Sequence, residues 1–282
     1  MAQLNIIYVR KIIYRILTVM KHIPFYLVDA FTNRIFGGNP AAVCPLDEWL
    51  SDEMLLSMAI EHNQSETAFF VPISNGFEIR WFTSLGEINL CGHATLASAH
   101  VIFNHLDYPS NEIHLTTRFV GDLKVKKDGD WLTLDFPAWP PQKLEAIPEA
   151  AIAGLGGVQP QQLYLKRDYM FVFADQKDIL DIKPDFRLLV QLGKMICITA
   201  PGKDCDFVSR FFCPGDAVEE DPVTGSAHSM LVPYWAERLG KNKLLARQVS
   251  KRGGELHCEL QGNRVMISGQ AKTYSAGTIY LP

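Results

Sequence analysis

Apolar and polar positions change period along the chain in an order that predicts short strands separated by single helices. Pro24–Phe31 (PFYLVDAF) is apolar and rich in β-formers, so it predicts a strand. Gly37-Gly38-Asn39-Pro40 breaks that run, and Ala41–Pro45 predicts a second, shorter strand. Ser51 and Asp52 can cap a helix reaching about His62, with Met54, Leu55, Met58 and Ala59 on one face. Thr67–Val71 and Phe77–Thr83 again read as strands. From Cys91-Gly92-His93-Ala94-Thr95 a helix runs to about His105. Its Leu96, Ala97, Ala99, Val101, Ile102 and Phe103 are apolar nearly all round, which predicts a helix enclosed by sheet. Asp122–Val125 and Trp131–Phe136 then flank a hairpin turn at Lys127-Asp128-Gly129-Asp130.

The second half repeats this order. Leu163–Lys166 and Met170–Ala174 predict strands, Pro184–Met195 a helix, and Asp206–Cys213 a further strand. Thr224-Gly225-Ser226-Ala227 opens another apolar helix, through Leu239, and Glu255–Leu260 and Val265–Ser268 close as a hairpin around Gln261-Gly262-Asn263. Local text echoes too: Ile79-Arg80-Trp81-Phe82 precedes the first enclosed helix and Ser209-Arg210-Phe211-Phe212 the second. The pattern predicts an α+β protein of two pseudo-symmetric domains, each wrapping a barrel-like mixed sheet around one central helix. Pro137–Pro141 (PAWPP) cannot continue a strand and marks the boundary. The expected division is therefore 21–137 and 138–282, with a last strand near 270–282 packing back on the first domain.

The 282 residues suffice for two such domains. A hydrophobic share of 48% with 21% charged residues supports a real core. The net charge of −4, with no basic stripe, argues against a nucleic-acid partner and for a small molecule. Six cysteines without a CxxC pair or zinc-like His/Cys spacing read as reduced thiols of a cytoplasmic protein, with no metal centre expected. Residues 1–20 are basic and Ile/Tyr-rich. Arg10, Lys11 and Arg15 interrupt every apolar run, so no membrane span is expected there, and Met20 sits directly before the first strand. This segment reads as an N-terminal extension.

Helix N-termini expose unpaired N–H groups and partial positive charge. Two of them related by pseudo-symmetry would converge on a cleft between domains, a usual place for small-molecule sites. The small residues Gly92, Ala94, Gly225 and Ser226 would let a ligand approach the backbone. Near these helix starts lie Cys91, His93, Asp221 and Ser226, with Glu66 at the head of an apolar strand. Each also has an ordinary role: His93 as a helix cap, Asp221 before Pro222 as a turn former, Glu66 as a solvated strand-edge residue.

At these residues the sequence resembles the PhzF family of phenazine-biosynthesis-like proteins, within the diaminopimelate epimerase fold. The matching stretches are Val28–Thr32, Gly38–Val43 (with Asn39), Asn63–Phe69, Leu90–Thr95 and Glu220–Ala227, in the family's order. The resemblance implies a cofactor-independent isomerase, usually homodimeric, acting on a small carboxylate-bearing substrate. It implies Glu66 as the acid/base, and His93, Asp221 and Ser226 in the same pocket, with Asn39, Cys91, Gly92, Ala94, Thr95 and Gly225 as further substrate-binding candidates. Two other readings stay open. One is a two-base racemase using Cys91, although Asp221–Ala227 offers no second cysteine, so that Asp221 would have to serve as the other base. The other is a binding protein of the same fold without turnover.

Overall fold

The computed structural model describes residues 20–216 and 218–281. The N-terminal extension read from the sequence thus lies outside the described residues, apart from Met20. Among the described residues, eighteen strands form one continuous sheet. It curls twice, and each turn encloses one apolar helix. The first, Gly92–His105, is buried from Gly92 through Ala99 and again over Val101–Phe103, as its all-round apolar pattern requires. The second is a 3₁₀ turn, Gly225–Ala227, continuing as an α-helix over His228–Leu239. Pro233 lies within this helix, and Gly240 ends it in the left-handed conformation.

The two turns of sheet share one strand plan. In the first, Lys21–Ala30 is antiparallel to Asn39–Pro45, which runs parallel to Thr67–Ile73; that strand is antiparallel to Gly76–Thr83, itself parallel to Glu112–Thr117. In the second, Gln162–Leu165 is antiparallel to Tyr169–Val172, which runs parallel to Ile196–Pro201; that strand is antiparallel to Phe207–Phe212, itself parallel to Lys243–Gln248. Each parallel step needs a crossover, and the two longest crossovers are the enclosed helices. A hairpin closes each turn: Asp122–Asp128 with Trp131–Pro137, and Gly254–Gln261 with Arg264–Gly269. The inner strands of those hairpins pair with each other, Phe136 opposite Val265 and Leu134 opposite Ile267, so the halves meet in an unbroken ladder.

The edges are exchanged. Ala271–Leu281, arriving from the second half, is antiparallel to Lys21–Ala30, with a bulge between Leu27 and Val28. Gln142–Leu144, leaving the first half, takes the matching place beside Gln162–Leu165.

One large core runs through both halves and includes Trp81, Leu96, Phe136, Leu231 and Trp235. Two smaller clusters lie under the outer helices, one around Leu55, Met58 and Phe69, the other around Phe171, Phe173 and Leu189. The helix expected within Pro184–Met195 is one turn, Phe186–Leu189, followed by a 3₁₀ turn. Ile196–Pro201 and Lys243–Gln248 are strands that the alternation does not reveal. The first is buried on both faces, so it reads as a continuous apolar run rather than an alternating one.

Candidate active site

The outer helix Asp52–His62 is capped by Ser51, whose Oγ accepts from the Met54 N–H at 3.2 Å. It stops at Asn63, which adopts the left-handed conformation (φ 51°) and turns the chain sharply. Gln64, Ser65 and Glu66 then run along a cavity before Thr67 enters the sheet. Across that cavity lie the starts of the two enclosed helices, neither of which has a side-chain cap. A Cβ built on Gly92 would lie 2.9 Å from the Gly225 Cα, and one on Gly225 would lie 3.1 Å from the Gly92 Cα. The glycines are thus needed so that the two backbones can touch. This close approach places both helix starts at one spot.

The cavity, about 540 Å³ in volume, is lined by Glu66, Cys91, Gly92, His93, Asp221, Gly225 and Ser226, among others. Of the expected binding residues, three do not line it. Ala94 is in the core, the Thr95 hydroxyl donates to the Cys91 carbonyl, and Asn39 is fully buried behind Asp221.

Glu66 Oε2 lies 3.3 Å from His93 Nε2. This contact lacks hydrogen-bond alignment, and Oε2 is buried with no hydrogen-bond partner among the described residues. Burial raises the Glu66 carboxyl above the usual carboxylate range. His93 opposes that rise, and the negative charges of Asp221 and Asp216 add to it. His93 is nearly buried and does not cap its helix. Its Nδ1 faces Cys91 Sγ at 3.5 Å and its Nε2 faces Ser65 Oγ at 3.5 Å. Burial, together with the charges of Glu66 and Asp221, keeps the Cys91 thiol protonated, although the N–H groups of Ala94 and His93 pull the other way.

Asp221 sits in a two-residue strand, Glu220–Asp221, beside Phe211. One carboxylate oxygen accepts from Asn39 Nδ2 at 2.6 Å and the other from the Thr224 hydroxyl. Gln248 braces the same segment, donating to the Asp221 carbonyl at 2.6 Å and accepting from the Thr224 N–H at 2.8 Å. The Asp221 side chain is therefore fixed in place, held partly by a residue of the other half.

Several lining residues are absent from the sequence-derived set: Arg167, Asp168, Cys213 and Asp216. Arg167 and Asp168 form the turn between two strands, where a paired Arg-Asp was a readable signal. Arg167 donates twice to the buried Asp168 and stacks over Trp139 at 5.4 Å. Cys213 directly follows the strand Phe207–Phe212. Burial raises its thiol, as do the nearby charges of Asp221, Asp216 and Glu66. All six cysteines are free thiols, four of them buried. No helix among the described residues is long and apolar enough to cross a membrane.

Two sheet turns around facing helix starts, with a half-buried glutamate between them, define a protein of the epimerase-like isomerase class. The chain belongs to the PhzC-PhzF family, described as phenazine biosynthesis-like proteins, which it matches over residues 28–277. It is 48% identical to an uncharacterized isomerase of Pseudomonas aeruginosa, over 91% of this chain and 98% of that one. A solved PhzF-family protein from Enterococcus faecalis superposes with a TM-score of 0.88 at 44% identity, covering 93% of this chain and all (100%) of that one. The fold alone is shared with a hydroxyproline epimerase of Agrobacterium vitis (TM-score 0.60, 11% identity, 92% and 93% covered).

Proposed function

We propose that the chain catalyses a cofactor-independent proton transfer, an isomerisation or epimerisation, on a small carboxylate-bearing substrate, with Glu66 as the acid/base. The observation carrying this reading is that Glu66, His93, Asp221 and Ser226 share one cavity at the meeting point of two uncapped helix starts. Those starts suit the substrate carboxylate, because their N–H groups and partial positive charge favour an anion. Glu66 then takes the proton from a carbon of the substrate and returns it, at another carbon or on the other face. A carboxyl raised toward the working pH suits both directions of transfer. Asp221 has both oxygens occupied, so it serves as a fixed charge opposing ionisation of Glu66 rather than as a second carrier. His93 faces the Glu66 carboxylate and balances its charge when it is ionised. The family resemblance also supports a homodimer and a cytoplasmic location.

The test is deuterium incorporation from D2O into a panel of small cyclic and amino-acid carboxylates. Wild type should label one compound at a defined carbon, and Glu66→Gln should label none. Tight binding of a panel compound without any exchange would leave a binding protein of this fold instead.

A second reading has one observation in its favour. Cys213 from the second half shares the cavity with Cys91 of the first, although the stretch Asp221–Ala227 holds no cysteine. A thiol pair of this kind would act as two bases. Both thiols are raised by burial, which disfavours the thiolate each would need. Exchange surviving in Cys91→Ala would exclude this reading, and exchange lost there but retained in Glu66→Gln would establish it.

A further inference from the structure

We propose that Glu66, Cys91 and His93 form a binding site for one borderline-soft divalent cation of the zinc type. A carboxylate oxygen, a thiol sulfur and an imidazole nitrogen, one from each residue, lie within 4.8 Å of one another. The individual contacts are 3.3 Å from Glu66 to His93 and 3.5 Å from Cys91 to His93. With Zn–N and Zn–O bonds of about 2.05 Å and a Zn–S bond of about 2.3 Å, a tetrahedral ion has ligand–ligand edges of about 3.4 Å and about 3.6 Å. Each contact taken singly is near such an edge, but the two reach different nitrogens of the ring, and one donor atom from each residue lies within 4.8 Å of the others, so the three must draw together around an ion. One adjustment is needed: Glu66 faces Nε2 of the ring and Cys91 faces Nδ1, so the imidazole must turn to offer one nitrogen to both. Nothing short holds it, since its two side-chain hydrogen-bond contacts are both 3.5 Å.

A second observation points to a cation independently of that spacing. Glu66 Oε2 is buried without a hydrogen-bond partner, at a cavity wall that also carries Asp216 and Asp221. Arg167, a cation on the same wall, is engaged by Asp168. A carboxylate oxygen beside a nitrogen and a sulfur donor suits zinc or cobalt over calcium or magnesium, which prefer all-oxygen shells. The open cavity leaves room for water as the fourth ligand. On binding, the Cys91 thiol loses its proton to solvent as the sulfur–metal bond forms, so binding releases a proton. The ion occupies the Glu66 carboxylate and is thus a competitor of any substrate, not a cofactor of the proposed reaction.

The test is titration of the full-length protein with cobalt(II) chloride, followed by absorption, and displacement with zinc chloride. The expected result is one equivalent bound, a near-ultraviolet thiolate-to-cobalt band, visible bands of a four-coordinate ion, and proton release seen by calorimetry in two buffers. Cys91→Ala should lose the near-ultraviolet band while keeping its far-ultraviolet circular dichroism, and Cys213→Ala should keep both. Glu66→Gln should weaken binding by more than the roughly 100-fold at the upper end of what loss of a merely supporting contact costs a metal site. Absence of the thiolate band in wild type, or its persistence in Cys91→Ala, overturns the proposal. These readouts need no turnover, so the site stands or falls separately from the proton-transfer reading.

Discussion

Glu66 sits where burial and two carboxylates oppose its ionisation, a placement that costs the folded state something. Its folded pKa lies above its unfolded value, so the folded protein binds the extra proton and stability falls as pH rises through the interval between the two. Glu66→Gln removes that penalty. The variant should melt above wild type at pH 8, and the difference should shrink toward pH 3, where the wild-type carboxyl is mostly protonated in both states. A thermal melt series across that range checks the sign; a variant less stable at pH 8 would mean the carboxylate is well satisfied where it stands. Asn39 is the opposite kind of residue. It was expected among the substrate contacts, yet its amide instead donates to Asp221 at 2.6 Å and to the Val223 carbonyl at 3.0 Å. Asn39→Ala strips a half-buried carboxylate of a donor and should cost about 1.5–3 kcal/mol in urea unfolding. Sequence could bring Asn39 near the site, because it stands in one of the motif stretches. It could not separate holding a substrate from holding Asp221, because that depends on which carboxylate lies opposite.

The two enclosed helices were legible as elements because residues apolar on every side have nowhere to go but inside a sheet. Their meeting was legible too, since Gly92 and Gly225 open them at matching points of the repeat. The reason for the glycines was read differently: they were expected to admit a ligand, whereas the structure uses them to let one helix start touch the other. The distinction has a measurable consequence. In Gly92→Ala the new methyl meets the Gly225 Cα at 2.9 Å, which is backbone and cannot swing away. Overpacking of this kind costs about 1–3 kcal/mol. Separating the two helix starts also displaces His93 from Glu66, and a shift near 1 Å at reacting groups lowers turnover by about 100-fold. Stability and exchange rate should therefore fall together. A variant that keeps its melting temperature and loses only substrate affinity would return Gly92 to the role of ligand contact. The loops behaved otherwise. Arg167, Asp168, Cys213 and Asp216 reach the cavity from turns whose path is set by the sheet, which no local pattern encodes.

At the scale of the molecule, the repeat visible in the text corresponds to a repeat of strand plan, but the chain does not keep its halves apart. The Pro137–Pro141 segment marks the place where the sequence changes halves, and the structure makes two connections across it. Trp131–Pro137 pairs with Arg264–Gly269 over six registered residues, reinforced by Arg264 donating to Asp135 at 2.6 Å. Ala271–Leu281 supplies the outer partner of Lys21–Ala30, a ladder reaching from Lys21 opposite Leu281 to Ala30 opposite Ala271. Neither half can therefore complete its own sheet. Residues 21–137 alone would leave Lys21–Ala30 and Trp131–Pro137 as open edges, with Val28, Ala30, Leu134 and Phe136 at or beside them, and such edges invite aggregation. Two domains could unfold in two transitions; the shared ladders and the core spanning both halves predict one. Calorimetry should show a single transition whose calorimetric and van't Hoff enthalpies agree. A chain ending at Gln270 should fail to give that transition, because the strand it lacks belongs to the opposite half. Two resolved transitions in the full chain, or an independently folded 21–137 fragment, would mean that the exchanged strands are appendages and that each half carries its own stability. A single transition would mean that the cavity between the helix starts exists only when the whole chain is folded, so any variant that loosens either seam should lose ligand binding and melting temperature in step.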